Sequence, residues 1–254
     1  MLTIAHFSDI HIGQDHRGDG GARAYRRAGQ VMAYLNALPG PLDAVLVTGD
    51  IADHGLPAEY EQAAKVLTSR HPLFDCPGNH DRRAPYREGL LGEAPADGPV
   101  NRLHRLPGAD VLMLDSSIPG RDDGLLDEET LGWLDARLAD GRQDVPALVA
   151  FHHPPVELHL PFVDPIRQFG EQRLAEVLAR HPRVAALLCG HSHTGAATTF
   201  AGLPVRVAPG VVSTVTLPCE GEPDITFDQP PMLVFHVLDD EGRLTSHYRA
   251  VTPE

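Results

Sequence analysis

Asp9-Ile10-His11, Gly49-Asp50, Gly78-Asn79-His80-Asp81, His152-His153 and Gly190-His191-Ser192-His193 form five short polar clusters, each following an apolar, strand-like run. A strand end calls for turn residues and has no need of imidazole, so packing does not account for these side chains. Carboxylate, amide and imidazole donors without a thiolate suit Mn, Fe, Co or Zn. Asp9 and His11 are separated by one residue and project the same way from a strand end, so both can reach one ion. Asp50 has two carboxylate oxygens and can join two ions. Asn79 offers a neutral amide oxygen, which leaves a bound metal strongly Lewis acidic. His191 and His193 share a face if extended and diverge in a turn, and Gly190 before them favours the turn. Two ions about 3.5 to 4 Å apart can hold a bridging hydroxide, orient phosphoryl oxygens and neutralise developing charge. The chemistry is therefore hydrolytic.

The elements that must position these residues alternate. Apolar runs predict buried strands at Leu2 to Phe7, Ala44 to Thr48, Val111 to Leu114, Ala147 to Phe151 and Val184 to Cys189. Helical patterns lie between them at Ala22 to Leu38, Ala58 to Ser69, Glu128 to Ala139 and Glu171 to Arg180, the third opened by Asp127 as N-cap. Such alternation predicts an α/β architecture in one domain, residues 1–254. Beyond His193 shorter alternating segments, Val205 to Ala208, Val211 to Leu217, Met232 to Leu238 and Leu244 to Val251, suggest a second, more antiparallel sheet. Three stretches without a clear pattern, 14–21, 82–99 and 154–170, each follow a ligand cluster and are the expected walls of a substrate pocket.

Composition bounds the partners. With 21 basic and 35 acidic residues the formal net charge is −14, which disfavours a sequence-independent hold on duplex nucleic acid. Local positive charge for an anionic substrate would come from bound cations. The cysteines Cys76, Cys189 and Cys219 lack zinc-ribbon spacing and read as buried thiols of a reducing compartment. No apolar run approaches a membrane span, and the first residues lack a basic leader, so a soluble cytoplasmic protein is expected.

Asp9-x-His11, Gly49-Asp50, Gly78-Asn79-His80-Asp81, His152 and Gly190-His191-x-His193 resemble, in order, the signature of the calcineurin-like metallophosphoesterases. The resemblance implies a four-layer αββα sandwich, two face-to-face mixed sheets flanked by helices. It also implies a binuclear centre in which Asp9, His11, Asp50 and His193 hold one ion and Asp50, Asn79, His152 and His191 the other, Asp50 bridging. Within that superfamily, His152-His153-Pro154-Pro155, His181-Pro182 and Leu114-Asp115-Ser116 resemble class III cyclic-nucleotide phosphodiesterases and glycerophosphodiesterases. Many of those relatives carry Arg after the last histidine, where this chain has Thr194. Relatives are often oligomeric, so a homodimer or higher homo-oligomer is expected from resemblance.

The reaction implied is hydrolysis of a small phosphodiester, a cyclic nucleotide or a glycerophosphodiester. Asp50 and His80 are the expected catalytic residues, His80 protonating the leaving alkoxide; Asn79, His80 and His153 are the expected substrate contacts. Asp81 is expected to hold its turn. Arg17, Arg23, Arg26, Arg82, Arg83 and Arg87 lie close enough in sequence to the clusters to fork onto a phosphate. Two alternatives stand beside this reading: a monoesterase or nucleotide phosphatase using the same centre, and a non-catalytic metal-binding scaffold of the same fold.

Overall fold

The structure, a computed structural model, describes residues 1–252. In chain order its elements begin β1 (Leu2–Phe7), α1 (Ala22–Ala37), β2 (Ala44–Thr48), α2 (Pro57–Val66), β3 (Leu73–Cys76), α3 (Arg83–Tyr86), β4 (Arg102–Arg105) and β5 (Asp110–Met113). They continue with β6 (Gly124–Leu125), α4 (Glu128–Ala139), β7 (Ala147–Ala150), β8 (Gln168–Phe169), α5 (Glu171–Leu178) and β9 (Val184–Cys189). The remainder is β10 (Ala196–Phe200), β11 (Leu203–Val207), β12 (Thr214–Val215), β13 (Ile225–Thr226), β14 (Met232–Leu238) and β15 (Leu244–Ala250).

Two sheets carry the fold, in the strand orders β15-β14-β1-β2-β3 and β10-β11-β9-β7-β5-β4. Side-chain alternation along the strands sorts the core into layers. Leu2, Ile4, Ala44, Leu46 and Cys76 of the first sheet meet Val111, Met113, Leu148, Ala150, Ala186 and Leu188 of the second. The alternate residues Ala5, Phe7, Val45 and Val47 pack outward on Ala28, Val31, Leu35, Tyr60 and Ala63 of α1 and α2. On the other side Leu112, Val149 and Leu187 pack on Leu131, Leu134 and Leu138 of α4 and Leu174 and Leu178 of α5. This is the αββα sandwich. Asp127 caps α4 as its position predicts, its carboxylate accepting the Thr130 amide at 2.8 Å.

Seven strands run parallel within their sheets, β1, β2 and β3 in one and β5, β7, β9 and β11 in the other. Parallel strands present their carboxyl ends at one edge, where open α/β sheets bind ligands. The five polar clusters follow β1, β2, β3, β7 and β9, so all five emerge there.

Three expectations need correcting. The segments beyond His193 do not build one second sheet together: β10 and β11 extend the second sheet, β14 and β15 pair beside β1 in the first, and only β12 and β13 form a small two-stranded sheet of their own. A strand edge presents unpaired backbone groups as a template for further pairing, and β11 and β14 use the edges at β9 and β1. Stretch 82–99 is partly ordered, with α3 running into a π-helical turn over Arg87–Leu91. Cys219 is exposed, unlike Cys76 and Cys189, because it lies in a short 3-10 turn outside the sandwich.

Several histidines serve the sheets. His6 Nδ1 lies 3.1 Å from His236 Nε2, His6 Nε2 lies 2.8 Å from Thr48 Oγ1, and His236 Nδ1 lies 2.8 Å from Ser246 Oγ. Burial holds His6 well below the usual histidine range and lowers His236 to about 3. His104 stacks on Phe74 with ring centroids 3.8 Å apart, and burial lowers it to about 4. These rings fold neutral, so the unfolded chain binds more protons below its ordinary histidine pKa and stability falls as pH drops. Denaturant titrations between pH 7 and pH 4 are expected to show this loss, and to show less of it for His104→Phe, which keeps the stack and removes the titrating group.

Candidate metal centre

The chain reaches the carboxyl edge and turns sharply. Asp9, His11, Asp50, His191 and His193 all adopt positive φ, between 42° and 69°, and they are five of the eight described non-glycine residues that do so. That conformation is uncommon for residues bearing a Cβ and, where it clusters, marks a functional site. Backbone bonds lock the turns together: Asp9 N to Gly49 O at 3.2 Å, His11 N to Asp50 O at 2.9 Å, Gly190 N to His152 O at 2.9 Å and Gly210 N to His193 O at 3.0 Å. Two glycines give the clearance. A Cβ on Gly78 would stand 2.2 Å from Asp50 Oδ1, and one on Gly49 would stand 2.4 Å from His152 Nδ1.

The donor atoms converge. Asp9, His11, Asp50 and His193 each offer an atom within 4.8 Å of the others, and so do His152, His153 and His191. Asp50 Oδ2 lies 3.5 Å from His11 Nε2 and 3.2 Å from His152 Nε2, between the two groups. His11 Nε2 and His193 Nε2 face each other at 3.2 Å. Asp9 Oδ1 and Oδ2, Asn79 Oδ1, His152 Nε2 and His191 Nε2 are buried without a hydrogen-bond partner. A buried polar atom left unsatisfied costs about 1 to 3 kcal/mol, so five at one place call for a ligand. Hard oxygens and imidazole nitrogens fit divalent transition metals.

The second nitrogen of most of these imidazoles is held by the protein, which fixes ring orientation and the tautomer that points Nε2 inward. His11 Nδ1 lies 2.9 Å from Asp53 Oδ1, His152 Nδ1 2.6 Å from the Thr48 carbonyl and His193 Nδ1 2.7 Å from Ser213 Oγ. Asp53 and Ser213 were not among the expected site residues. Asp53 stands three positions after Asp50, a spacing that signals nothing alone; Ser213 follows β11 and is brought in by topology.

Asp81 holds its turn, accepting from Ile51, Ala52 and Gly78 amides at 3.1, 3.0 and 2.9 Å and from the Tyr60 hydroxyl at 3.1 Å. His80 is half-exposed, its amide on Asp50 Oδ1 at 2.9 Å and its Nδ1 on the Asp53 carbonyl at 2.7 Å. His153 is fully buried with both nitrogens engaged, Nδ1 at 2.8 Å from Ser116 Oγ and Nε2 at 3.2 Å from the Asp122 carbonyl. It secures the Asp122 loop and has no nitrogen free for a substrate or an ion. Thr194 donates to the Val215 carbonyl, a tie to β12.

A cavity of about 720 Å³ opens beside Asn79 and His80. Its wall comes from Asp53–His54, 79–85, Asp97, Ser117 and 119–122. Of the three stretches expected to wall the pocket, only 82–99 contributes to this cavity. Stretch 14–21 lines none of it, 154–170 covers His191 and Ser192 instead, and residues 117–122 take their place.

Without a metal the electrostatics already ask for a cation. Burial raises the Asp50 carboxyl, yet His152, His11 and His80 bring it well below the usual range. Burial lowers His152, but Asp50 and Asp9 overcome this and lift it to about 9. His11 is likewise raised despite burial, through Asp53, Asp50 and Asp9. Burial holds His191 well below its ordinary value and brings His193 to about 4, leaving both neutral and able to donate a lone pair.

Residues 2–195 match the family model for calcineurin-like phosphoesterases. The chain is 34% identical over 242 residues to a glycerophosphodiester phosphodiesterase of Enterobacter lignolyticus, covering 92% of this chain and 86% of that one. It is 36% identical over 221 residues to a cAMP/cGMP dual specificity phosphodiesterase of Mycobacterium tuberculosis, covering 85% and 69%. Among solved structures, a dimetal phosphatase from Danio rerio superposes with a TM-score of 0.65 at 15% identity, covering 99% of both chains, which shows the fold. The chain belongs to the calcineurin-like phosphoesterase family.

Gly78→Ala is expected to displace the Asp50 carboxylate and to remove metal with it, read as metal content per chain after dialysis. Asp53→Asn, which keeps the shape and weakens the hold on His11, should lower metal affinity about 10- to 100-fold. Full metal retention by both variants would contradict this geometry.

Proposed function

We propose that this phosphoesterase is a binuclear-metal phosphodiesterase acting on small soluble diesters of the glycerophosphodiester or 3',5'-cyclic-nucleotide class. The observation that carries the reading is the set of buried, unpartnered donor atoms on Asp9, Asn79, His152 and His191 around Asp50. Asp9, His11, Asp50 and His193 would hold one ion, and Asp50, Asn79, His152 and His191 the other. The position of Asp50 Oδ2 within 3.5 Å of an imidazole from each group supports its bridging role. Mn, Fe, Co and Zn suit this donor set. When bound, such ions activate water and neutralise charge on the phosphoryl oxygens.

The chain's own residues supply the rest. His80 bonds the Asp53 carbonyl through Nδ1. A carbonyl only accepts, so Nδ1 keeps its proton in both charge states and Nε2 is the nitrogen that gives one up. That suits an acid protonating the departing alkoxide from the cavity side. Asn79 is fixed between Gly78 and His80, whose amides bond Asp81 and Asp50. The diester reading is supported by relatives named as glycerophosphodiester and cyclic-nucleotide phosphodiesterases.

Chelation is expected to abolish turnover of bis(p-nitrophenyl) phosphate, and Mn, Co, Zn or Fe to restore it. A chain that stays inactive with every metal would refute the enzyme reading. Asn79→Ala should lower kcat/KM at least a hundredfold. His80→Ala should cost about 10²- to 10⁴-fold on alkyl esters and much less on nitrophenyl esters, whose leaving group needs no proton. Equal losses on both would remove His80 from the acid role.

A further inference from the structure

The six arginines close in sequence to the clusters have different fates. Arg23 donates to the Val212 and Phe227 carbonyls, and Arg87 bonds Glu93 and the Gly98 and Pro99 carbonyls. Arg83 is spent on Asp115 at 2.8 Å and on the Asp97 and Ser117 carbonyls. Arg17 and Arg26 do not line the cavity. Arg121 lines it but pairs with Asp123. Arg82 lines it too, and among the described residues its guanidinium has neither a hydrogen bond nor an ion pair. Only its backbone amide is engaged, by the Tyr60 hydroxyl at 2.8 Å.

Yet the side chain is placed. Its stem crosses Gly55, where an added Cβ would stand 2.4 Å from Arg82 Cγ and 2.9 Å from Cδ, and Gly55 itself has φ +67°. Glycine therefore makes the seat on which the stem lies. His54, the neighbouring residue and another part of the lining, bonds Glu59 at 2.8 Å through Nδ1. In a chain of net charge −14, a carboxylate partner for Arg82 would be easy to supply, and none is present among the described residues. A guanidinium fixed at its stem and unpaired at its head, two residues from the proposed acid His80, is arranged to meet an anion.

We propose that Arg82 recognises a second anionic group, carboxylate, phosphate or sulfate, carried on the leaving-group portion of the substrate. The proposal rests on the phosphodiesterase reading, which places the leaving group on the His80 side. Of the four lining carboxylates, Asp53 is engaged by His11 and Asp81 by three backbone amides and Tyr60, while Asp97 and Asp122 have no side-chain partner among the described residues and disfavour an anion beside them. An ester with an uncharged leaving group gains nothing from Arg82, whereas a charged one gains a bidentate, charge-assisted contact.

The test compares methyl p-nitrophenyl phosphate with its analogue bearing a carboxylate on the aryl ring, using the metal-loaded full chain. The wild type is expected to prefer the carboxylated ester in kcat/KM, and Arg82→Ala to lower that preference at least tenfold, chiefly through KM. Arg82→Lys should keep part of it, and Arg82→Glu should reverse it. Because Arg82 is exposed, thermal melting should show each variant folded. An equal loss on both esters, or no loss on either, overturns the proposal while leaving the metal centre standing. If the wild type turns over neither ester with any metal, the phosphodiesterase reading itself has failed.

Discussion

The Asp50 carboxylate, buried where two sheets present their parallel strand ends, is the constraint to which the surrounding structure answers. A carboxylate removed from water costs several kcal/mol unless positive charge or donors surround it. Here the compensation is unequal. Oδ1 has the His80 amide, while Oδ2 has only imidazoles from two different strand ends. Asp9 adds a second carboxylate with no donor to either oxygen. Protons on His152 and His11 meet part of the demand, and a pair of metal ions would meet it with more charge. Chemistry and stability are thus linked, because what binds here also relieves the buried anions.

That concentration of charge requires backbone geometry found at only three other non-glycine positions among the described residues. Five ligand-bearing positions sit at positive φ, and Gly49 and Gly78 are needed because any Cβ would collide with His152 or Asp50. Side chains at strand ends would otherwise alternate away from one another. Turning each chain sharply after its last ladder bond aims donors from β1, β2, β3, β7 and β9 at one volume. The seven parallel strands and their packed helices hold those turns in place.

Much of this was legible in the sequence, for a physical reason. Ligand identity is local: Asp9-x-His11 or Gly78-Asn79-His80-Asp81 is readable because each motif turns within a few residues of a strand. Buried strands such as Leu2–Phe7, Ala44–Thr48 and Val184–Cys189 announce themselves by uninterrupted apolar runs. What was not legible depends on contacts remote in sequence. Ser213 becomes a partner of His193 only because β11 lies beside β9, and β14 joins β1 across more than two hundred residues. The run before Gly78 has no clear bounds in the sequence because Leu73-Phe74-Asp75-Cys76 includes an aspartate, whose partner, the Tyr86 hydroxyl, comes from α3. The walls of the cavity were misjudged for the same reason: residues 117–122 reach the centre through His153 and Ser116, a link that no spacing reveals.

That link bears on how a site of this kind acquires a substrate. Arg83 and Asp115 form an ion pair whose carboxylate is fully buried, with further bonds to Val100 and Ser117, and His153 ties the Asp122 carbonyl to the strand that carries His152. Breaking a buried pair by removing one partner costs about 3 to 5 kcal/mol, so these anchors resist change. They set the position of the cavity wall, and their polar groups are spent on one another and on backbone carbonyls. Arg82, by contrast, brings an unpaired charge to the cavity from an exposed position, where substitution costs the fold little. On the proposed reading, reaction and selectivity fall to different residues: attack on phosphorus to buried strand ends, and the choice of ester to an exposed side chain on a loop that the buried anchors hold still.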